Sequence, residues 1–147
     1  KDPGNLLLWA HYADSFRGIC IEVEAEDSGN SEIVEVGYSP FSVYVANQFD
    51  GDPTQLPRKI LSGKNEAWAY EQETRILSNS EFIDTGVSIR AVYFGLRTST
   101  VMKDTISMLL PRSIPTFETA ISLATNKVEG ASQHEREEGQ PRLSFPK

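Results

Sequence analysis

The chain has 147 residues, of which 39% are hydrophobic and 24% are charged, and its formal net charge at pH 7 is −7. This length suits one domain with a hydrophobic core, so we expect residues 1–147 to form a single domain. The negative charge disfavours extended nucleic-acid binding, because the protein and the phosphates would repel each other.

The residue content also limits the sites and locations that we expect. The single cysteine, Cys20, excludes an internal disulfide and a cysteine-rich zinc site, and it fits a cytoplasmic location. His11 and His134 have no carboxylate at a metal-motif spacing, so no metal centre is predicted. No apolar run approaches the length of a membrane span. The chain begins with Lys1, which suggests a fragment of a longer protein.

The first third of the chain reads as a helix followed by two strands. Residues 6–14 have apolar side chains at helical spacing, with Asn5 as the expected N-cap and Gly18 as the expected end. In residues 19–26, apolar and polar residues alternate, which predicts a strand with one solvent-facing side. After a turn at residues 27–31, residues 32–38 are predicted to be the returning strand.

The middle of the chain combines loop composition with two clear strands. Residues 39–58 are mostly loop-like, with a short strand in SVYV, and residues 58–68 are predicted to hold a helix interrupted at Gly63. The segments ETRIL and SIRAVYFGLR are predicted strands. The second is apolar on both faces, which favours a central position in a sheet.

The last third contains an amphipathic helix in TSTVMKDTISMLLP, and TFETAISL fits both a strand and a helix. We favour the strand because Thr and Phe are enriched in strands. Residues 127–142 are predicted to be a mobile loop, and RLSF to be an edge strand. The fold class is therefore α+β, with a single mixed or antiparallel sheet of about five strands and two or three helices.

Residues 68–77, WAYEQETRIL, place charged groups in an otherwise apolar segment. If this segment is a strand, then Glu71, Glu73 and Arg75 lie on the same face, because alternate residues of a strand share a face. Two interpretations stay open. The face is exposed and Arg75 offsets two acids, or it lines a site that Trp68 helps to enclose.

Three segments together resemble a bacterial family known only as a domain of unknown function. They are LLLWAHYADSFRGICIEVE, KNEAWAYEQETRIL and IRAVYFGLRTS, which follow in this order between residues 6 and 110. Family members normally open with a Tyr-rich strand and an Asn-Asp-Pro segment, and both are missing here. The resemblance therefore implies the C-terminal portion of a member that lacks its N-terminal strand or strands.

The layout is also similar, at the level of the fold, to ADP-ribosyltransferases of the toxin type that modifies DNA or nucleotides. This similarity implies NAD as a substrate, Glu73 as the catalytic carboxylate and Glu71 as its helper. A fixed carboxylate stabilises the positive charge that develops on the ribose when the nicotinamide–ribose bond breaks.

Further residues are candidates for binding the substrate, namely His11, Tyr12, Arg17, Trp68 and Arg75. For His11 and Tyr12 the alternative is helix packing. For Arg17 it is an interaction with the end of a helix, and Lys64 has a similar ambiguity. Cys20 is predicted to be a small, half-buried hydrophobic residue.

The leading hypothesis is an ADP-ribosyltransferase-like or other nucleotide-binding domain. The alternative from a different class is a non-catalytic protein-interaction or sensing module. A metal-dependent nuclease ranks below both, because Arg75 stands where such enzymes need a lysine. The sequence names no acceptor and no oligomeric state.

Overall fold

A computed structural model of the chain describes residues 3–26, 31–40, 51–81 and 87–133, with the side chains of 131–133 excepted. The chain forms two compact units. Unit 1 consists of Lys1–Glu24 and Ser88–Lys147, and unit 2 of Ala25–Val87. That residues 1–147 form a single domain stays a prediction.

The elements of unit 1, numbered along the whole chain, are α1 (Leu6–Tyr12), β1 (Ile19–Glu24), β6 (Ser88–Phe94), α3 (Thr100–Leu109), β7 (Thr116–Ser122) and β8 (Lys127–Gln133). The four strands form a sheet with the order β1-β6-β7-β8. The central pair, β6 and β7, is parallel, and the two outer pairs are antiparallel, so the sheet is mixed.

Strand β6 supplies the most deeply buried side chains of unit 1. Phe94 and Val92 are the two largest fully buried residues among those that the structure describes. Since β6 has a hydrogen-bonded neighbour on each side, the central position predicted from its apolar faces is confirmed. A cluster of buried hydrophobic residues joins Trp9 of α1 and Ala13, the residue that follows the helix, to Val128 on β8.

Helix α1 begins where the sequence predicts and ends early. The Asn5 side chain accepts a hydrogen bond from the Leu7 backbone N–H at 3.0 Å, which satisfies one of the free donors of the first turn. The helix ends at Tyr12, before the predicted residue 14. The residues from Asp14 to Phe16 have positive φ angles, and such angles are incompatible with a continuing right-handed helix.

Two predictions for the end of unit 1 have different outcomes. TFETAISL contains strand β7, so the choice of strand over helix is confirmed. The predicted loop at residues 127–142 instead begins with strand β8, which pairs antiparallel with β7. Backbone pairing with β7 outweighs the polar composition on which the loop prediction depended. Residues 134–142 and the RLSF segment lie outside the described residues.

Unit 2 contains two small sheets and short helices. Its elements are β2 (Ser31–Glu35), β3 (Gly37–Ser39), a 3₁₀ helix (Pro53–Gln55), α2 (Leu56–Leu61), β4 (Gly63–Asn65), a second 3₁₀ helix (Glu66–Glu71) and β5 (Thr74–Ser78). Strands β2 and β5 pair antiparallel, and β3 and β4 pair in parallel. The predicted SVYV strand lies outside the described residues.

The α+β class is confirmed, but the single sheet of about five strands is wrong. The described strands form one sheet of four strands and two sheets of two strands. The error arises at β2, which was predicted to return alongside β1. Instead, β2 pairs with β5 and β1 pairs with β6, both far away in sequence. No helix within the described ranges is both long and apolar enough to span a bilayer.

Candidate functional site

Glu71 does not lie on a strand, which corrects the prediction that it shares a strand face with Glu73 and Arg75. Residues Glu66–Glu71 form the second 3₁₀ helix, whose N-cap Asn65 accepts a hydrogen bond from the Ala67 N–H. The chain then reverses at Gln72, which has a left-handed conformation with φ 45°. Strand β5 starts only at Thr74, so the helix cap and the reversal separate Glu71 from the strand.

Four charged residues of unit 2 nevertheless come together, and we call them the charge cluster: Lys64, Glu71, Glu73 and Arg75. The Lys64 ammonium donates to both carboxylates, to Glu71 and, at 3.1 Å, to Glu73. The Arg75 guanidinium donates two hydrogen bonds to the Glu73 carboxylate, from Nε at 2.7 Å and from Nη2 at 3.1 Å. Such paired, charge-assisted bonds hold a carboxylate in a defined orientation.

The neighbouring strands position the cluster. In the parallel pair of β3 and β4, Tyr38 stands opposite Lys64, and the Glu73 N–H donates to the Tyr38 hydroxyl at 2.7 Å. Arg75 also donates to the Leu61 carbonyl at the end of α2. The charge cluster is therefore held by contacts with β3, β4 and the end of α2, in addition to β5 and the second 3₁₀ helix.

The two acids of the cluster have different exposure. The Glu71 side chain retains only 6% of its exposed area, whereas Glu73 and Arg75 each retain 28%. Glu71 is therefore a buried charge whose ion pair with Lys64 offsets the cost of desolvation. Glu73 is fixed but still accessible to a ligand.

Ion pairing shifts the ionisation of the cluster. The Arg75 guanidinium, helped by Lys64 and opposed by partial burial, lowers the pKa of Glu73 to about 2. The hydrogen bond from the Lys64 ammonium to Glu71 raises the pKa of Lys64. At neutral pH Glu73 is thus a carboxylate, suited to stabilise positive charge and unsuited to donate a proton.

Aromatic residues flank the cluster. The Lys64 ammonium lies 5.2 Å from the centroid of the Trp68 ring, within the range of a cation–π contact. The Tyr70 ring lies 6.0 Å from that of Trp68. Trp68 is 40% exposed, so part of a flat aromatic surface next to the Lys64 ammonium is open to solvent.

The predicted site residues fall into two groups. Trp68, Glu71, Glu73 and Arg75 come together in unit 2, while His11, Tyr12 and Arg17 belong to unit 1. His11 and Tyr12 are exposed on α1, and their rings meet edge to face at 6.4 Å. Arg17 is exposed, and its Nη1 lies 3.8 Å from a carboxylate oxygen of Asp14.

Sequence reasoning gave Lys64 too little weight and missed Tyr38. Lys64 opens the KNEAWAYEQETRIL segment, seven residues before Glu71, and a basic residue near two acids was the available signal. Tyr38 lies 35 residues from Glu73 in sequence, and no pattern connects them. Only the pairing of β3 with β4 brings Tyr38 to the cluster.

Two further predictions concern metal sites and Cys20. Within the described ranges, no three His, Cys, Asp or Glu side chains are grouped so that they could hold a metal ion. The Cys20 side chain is partly buried, and this burial raises the pKa of its thiol. A raised pKa disfavours the reactive thiolate form, in line with the predicted role of Cys20 as a small hydrophobic residue.

The depressed pKa of Glu73 predicts a loss of stability in acid. The pKa of Glu73 in the folded chain, about 2, lies below the ordinary glutamate value of 4.5, so its contribution to stability is present above pH 4.5 and is lost as the pH falls towards 2. We expect this contribution to be on the order of 1 kcal/mol, because solvent screens a partly exposed ion pair. Urea unfolding of wild type and Glu73→Gln between pH 2 and 7 measures it. Parallel pH profiles for the two proteins would contradict the prediction.

Comparison with known proteins assigns the chain to no family. No protein-family model, no curated protein and no solved structure matches the chain.

Proposed function

We propose that the charge cluster and Trp68 bind a nucleotide, and that Glu73 is the catalytic carboxylate of an ADP-ribosyltransferase-like reaction on NAD. The observation that carries the proposal is the state of Glu73. Its carboxylate is ionised, held by Arg75 and Lys64, and still partly open to solvent, and the same Lys64 ammonium lies over the ring of the exposed Trp68. The similarity of the layout to ADP-ribosyltransferases, at the level of the fold, favours the same function.

The proposed reaction needs a fixed negative charge. The bond between nicotinamide and ribose breaks, and its electron pair leaves with the nicotinamide. Positive charge then develops on the ribose, and an acceptor nucleophile forms the new bond and releases a proton. The ionised Glu73 would stabilise that positive charge without changing its own protonation state. The prior ion pairs reduce the reorganisation that the carboxylate undergoes during the reaction.

Glu71 and Trp68 have separate proposed roles. Glu71 is buried and bound to Lys64, so it would act by positioning the ammonium that contacts Glu73. Trp68 would stack on a flat ring of the ligand, since aromatic faces bind bases through offset stacking. This proposal depends on unit 2 alone, so it assigns no role to His11, Tyr12 or Arg17.

Binding of NAD can be measured through Trp68. The chain has two tryptophans, and Trp9→Phe leaves Trp68 as the single tryptophan fluorophore. We expect NAD to quench its emission with saturation at millimolar concentrations or below. Trp68→Phe, which retains Trp9, should show no saturable quenching. The absence of saturable quenching in Trp9→Phe would contradict the nucleotide-binding proposal.

Release of nicotinamide tests the catalytic role of Glu73. We expect Glu73→Gln to lower the rate of release about 100-fold or more, a loss typical of removing a charge-stabilising group. Glu32→Gln is the matched control, because Glu32 also pairs with an arginine of unit 2, Arg58, but lies outside the cluster. Circular dichroism must show that both variants remain folded. Binding without release would reduce the function to nucleotide binding.

The exposure of Trp68 also favours a second candidate, a non-catalytic interaction or sensing module. Exposed tryptophans are enriched among the residues that contribute most to protein–protein binding. In that case NAD would not quench Trp68, and Trp68→Ala would weaken the association with a protein partner while leaving unit 2 folded.

A further inference from the structure

Strand β1 lies at one end of the sheet of unit 1. Among the described strands it pairs with β6 alone, so no described strand lies beside its other edge. Its six residues, ICIEVE, include no lysine and no proline, the residues that commonly block pairing at such an edge. An edge of this kind is a template for a further strand.

The hydrogen-bond pattern shows which backbone groups of β1 point to that edge. Just before β1, the Gly18 carbonyl accepts a hydrogen bond from the Gly95 N–H at 3.0 Å. Hydrogen-bonded and non-bonded residues alternate in an antiparallel ladder, so Cys20 and Glu22 belong, like Gly18, to the residues bonded to β6. The register shifts between Glu22 and Val23, but the extra residue, Arg90, lies on β6, so the alternation along β1 itself is kept. Ile19 and Ile21 therefore direct their N–H and C=O groups away from β6.

The side chains of β1 suit a further strand as well. On one face, Ile21 and Val23 are 48% and 51% exposed, although both are strongly apolar. On the other face, both acids already have partners on β6. Glu22 accepts a hydrogen bond from the Tyr93 hydroxyl at 2.7 Å, and Glu24 pairs with Arg90.

We propose that two copies of this chain associate through antiparallel pairing of β1 with β1, with Ile21 opposite Ile21 on the two-fold axis. Ile19 then faces Val23 of the second copy, so apolar side chains meet on the exposed face. Cys20 faces Glu22, and no two acids of the strands stand directly opposite each other. The two four-stranded sheets become one continuous sheet, as isologous two-fold pairing allows.

Backbone complementarity restricts the register. The residues with outward-pointing groups must face each other, which leaves registers that differ by two residues. A shift in one direction places Glu22 opposite Glu22, where like charges repel. A shift in the other direction pairs Ile19 with Ile21 and shortens the overlap of the two strands. The register centred on Ile21 combines the longest overlap with no opposed acids.

Cysteine cross-linking tests the register. In a Cys20→Ser background, Ile21→Cys places two sulfhydryls on the two-fold axis, with Cα atoms about 5.5 Å apart, which a disulfide can bridge. Val23→Cys, equally exposed, is the matched control, because its two copies would lie about 13 Å apart along the strands. We expect mild oxidation to give a covalent dimer for Ile21→Cys only. Equal yields for the two variants, or none for either, would overturn the proposal.

Sedimentation of the full chain tests the association itself. We expect the wild type to shift from monomer to dimer as its concentration rises to about 500 µM, and Ile21→Lys to weaken this association at least about tenfold. Leu123→Lys, which adds the same charge at an exposed position outside β1, should leave it unchanged. A wild-type chain that stays monomeric over this range, or equal effects of the two lysines, would overturn the proposal.

Discussion

Lys64→Met is expected to destabilise unit 2 by about 3 kcal/mol, because it removes a cation that pairs with a buried carboxylate. The Glu71 side chain, which is only 6% exposed, would lose its ion pair with Lys64, and Glu73 would lose one of its two cations. The methylene groups of Met replace those of Lys, so the loss reports mainly on charge. The cation–π contact with Trp68 is lost as well.

Urea unfolding followed by Trp68 emission, in a Trp9→Phe background, measures this loss in unit 2. Arg58→Met is the matched control, since it removes a cation from the half-exposed pair with Glu32. We expect that control to cost less than about 1 kcal/mol. Similar losses of stability for Lys64→Met and Arg58→Met would contradict the prediction, because they would show that the buried ion pair of Lys64 contributes no more than an exposed one.

A double variant separates the charge effect from other effects of replacing Lys64. Adding Glu71→Met to Lys64→Met removes the buried carboxylate that has lost its ion pair with Lys64 in the single variant. We expect the double variant to be more stable than Lys64→Met alone, because replacing both partners of a buried pair by apolar groups is often close to neutral. A further loss in the double variant would mean that other contacts of Glu71 dominate.

Phe94→Ala is expected to destabilise unit 1 by about 3–5 kcal/mol, the usual cost of truncating a buried aromatic residue. Phe94 is fully buried at the end of β6, the strand that pairs with both β1 and β7. The lost side chain leaves a cavity among residues that belong to different elements. The hydrogen bond from the Thr119 hydroxyl to the Phe94 carbonyl involves the backbone, so it does not require the ring.

Thermal or urea unfolding followed by Trp9, in a Trp68→Phe background, measures this effect in unit 1. Phe94→Leu, which retains most of the volume, should lose less than half as much and remains measurable if Phe94→Ala does not fold. Leu123→Ala, at a position almost fully exposed to solvent, should change stability by less than about 0.5 kcal/mol. A loss below 1 kcal/mol for Phe94→Ala would contradict the central role of β6.

Local sequence features predicted the individual elements well where the relevant interactions are short-range. Asn5 and Ser99 each cap a helix through a hydrogen bond to a backbone N–H two or three residues later. The apolar run in SIRAVYFG predicted both a strand and its central place, because burial on two faces requires apolar residues at every position. The strand in TFETAISL followed from the preference of Thr and Phe.

The partners of the strands could not be read in the same way. β1 pairs with β6 across about 70 residues of chain, and β2 pairs with β5 across about 40, although the sequence predicted β1 and β2 as neighbours. Several alternating segments in this chain are compatible with each other. The choice of strand partners depends on packing over the whole unit, and the residue pattern within one strand carries no information about that packing.

Composition and residue patterns were enough to predict that the chain is acidic, that it belongs to the α+β class, and that charged residues are concentrated in WAYEQETRIL. The contacts of those charged residues depend on the fold: the reversal at Gln72 separates Glu71 from strand β5, and β4 places Lys64 within reach of both acids. The difference follows from distance along the chain. Caps, apolar periodicity and the pairing of Glu73 with Arg75 involve residues a few positions apart, whereas Lys64 is nine residues from Glu73 and reaches it, at 3.1 Å, only in the folded chain.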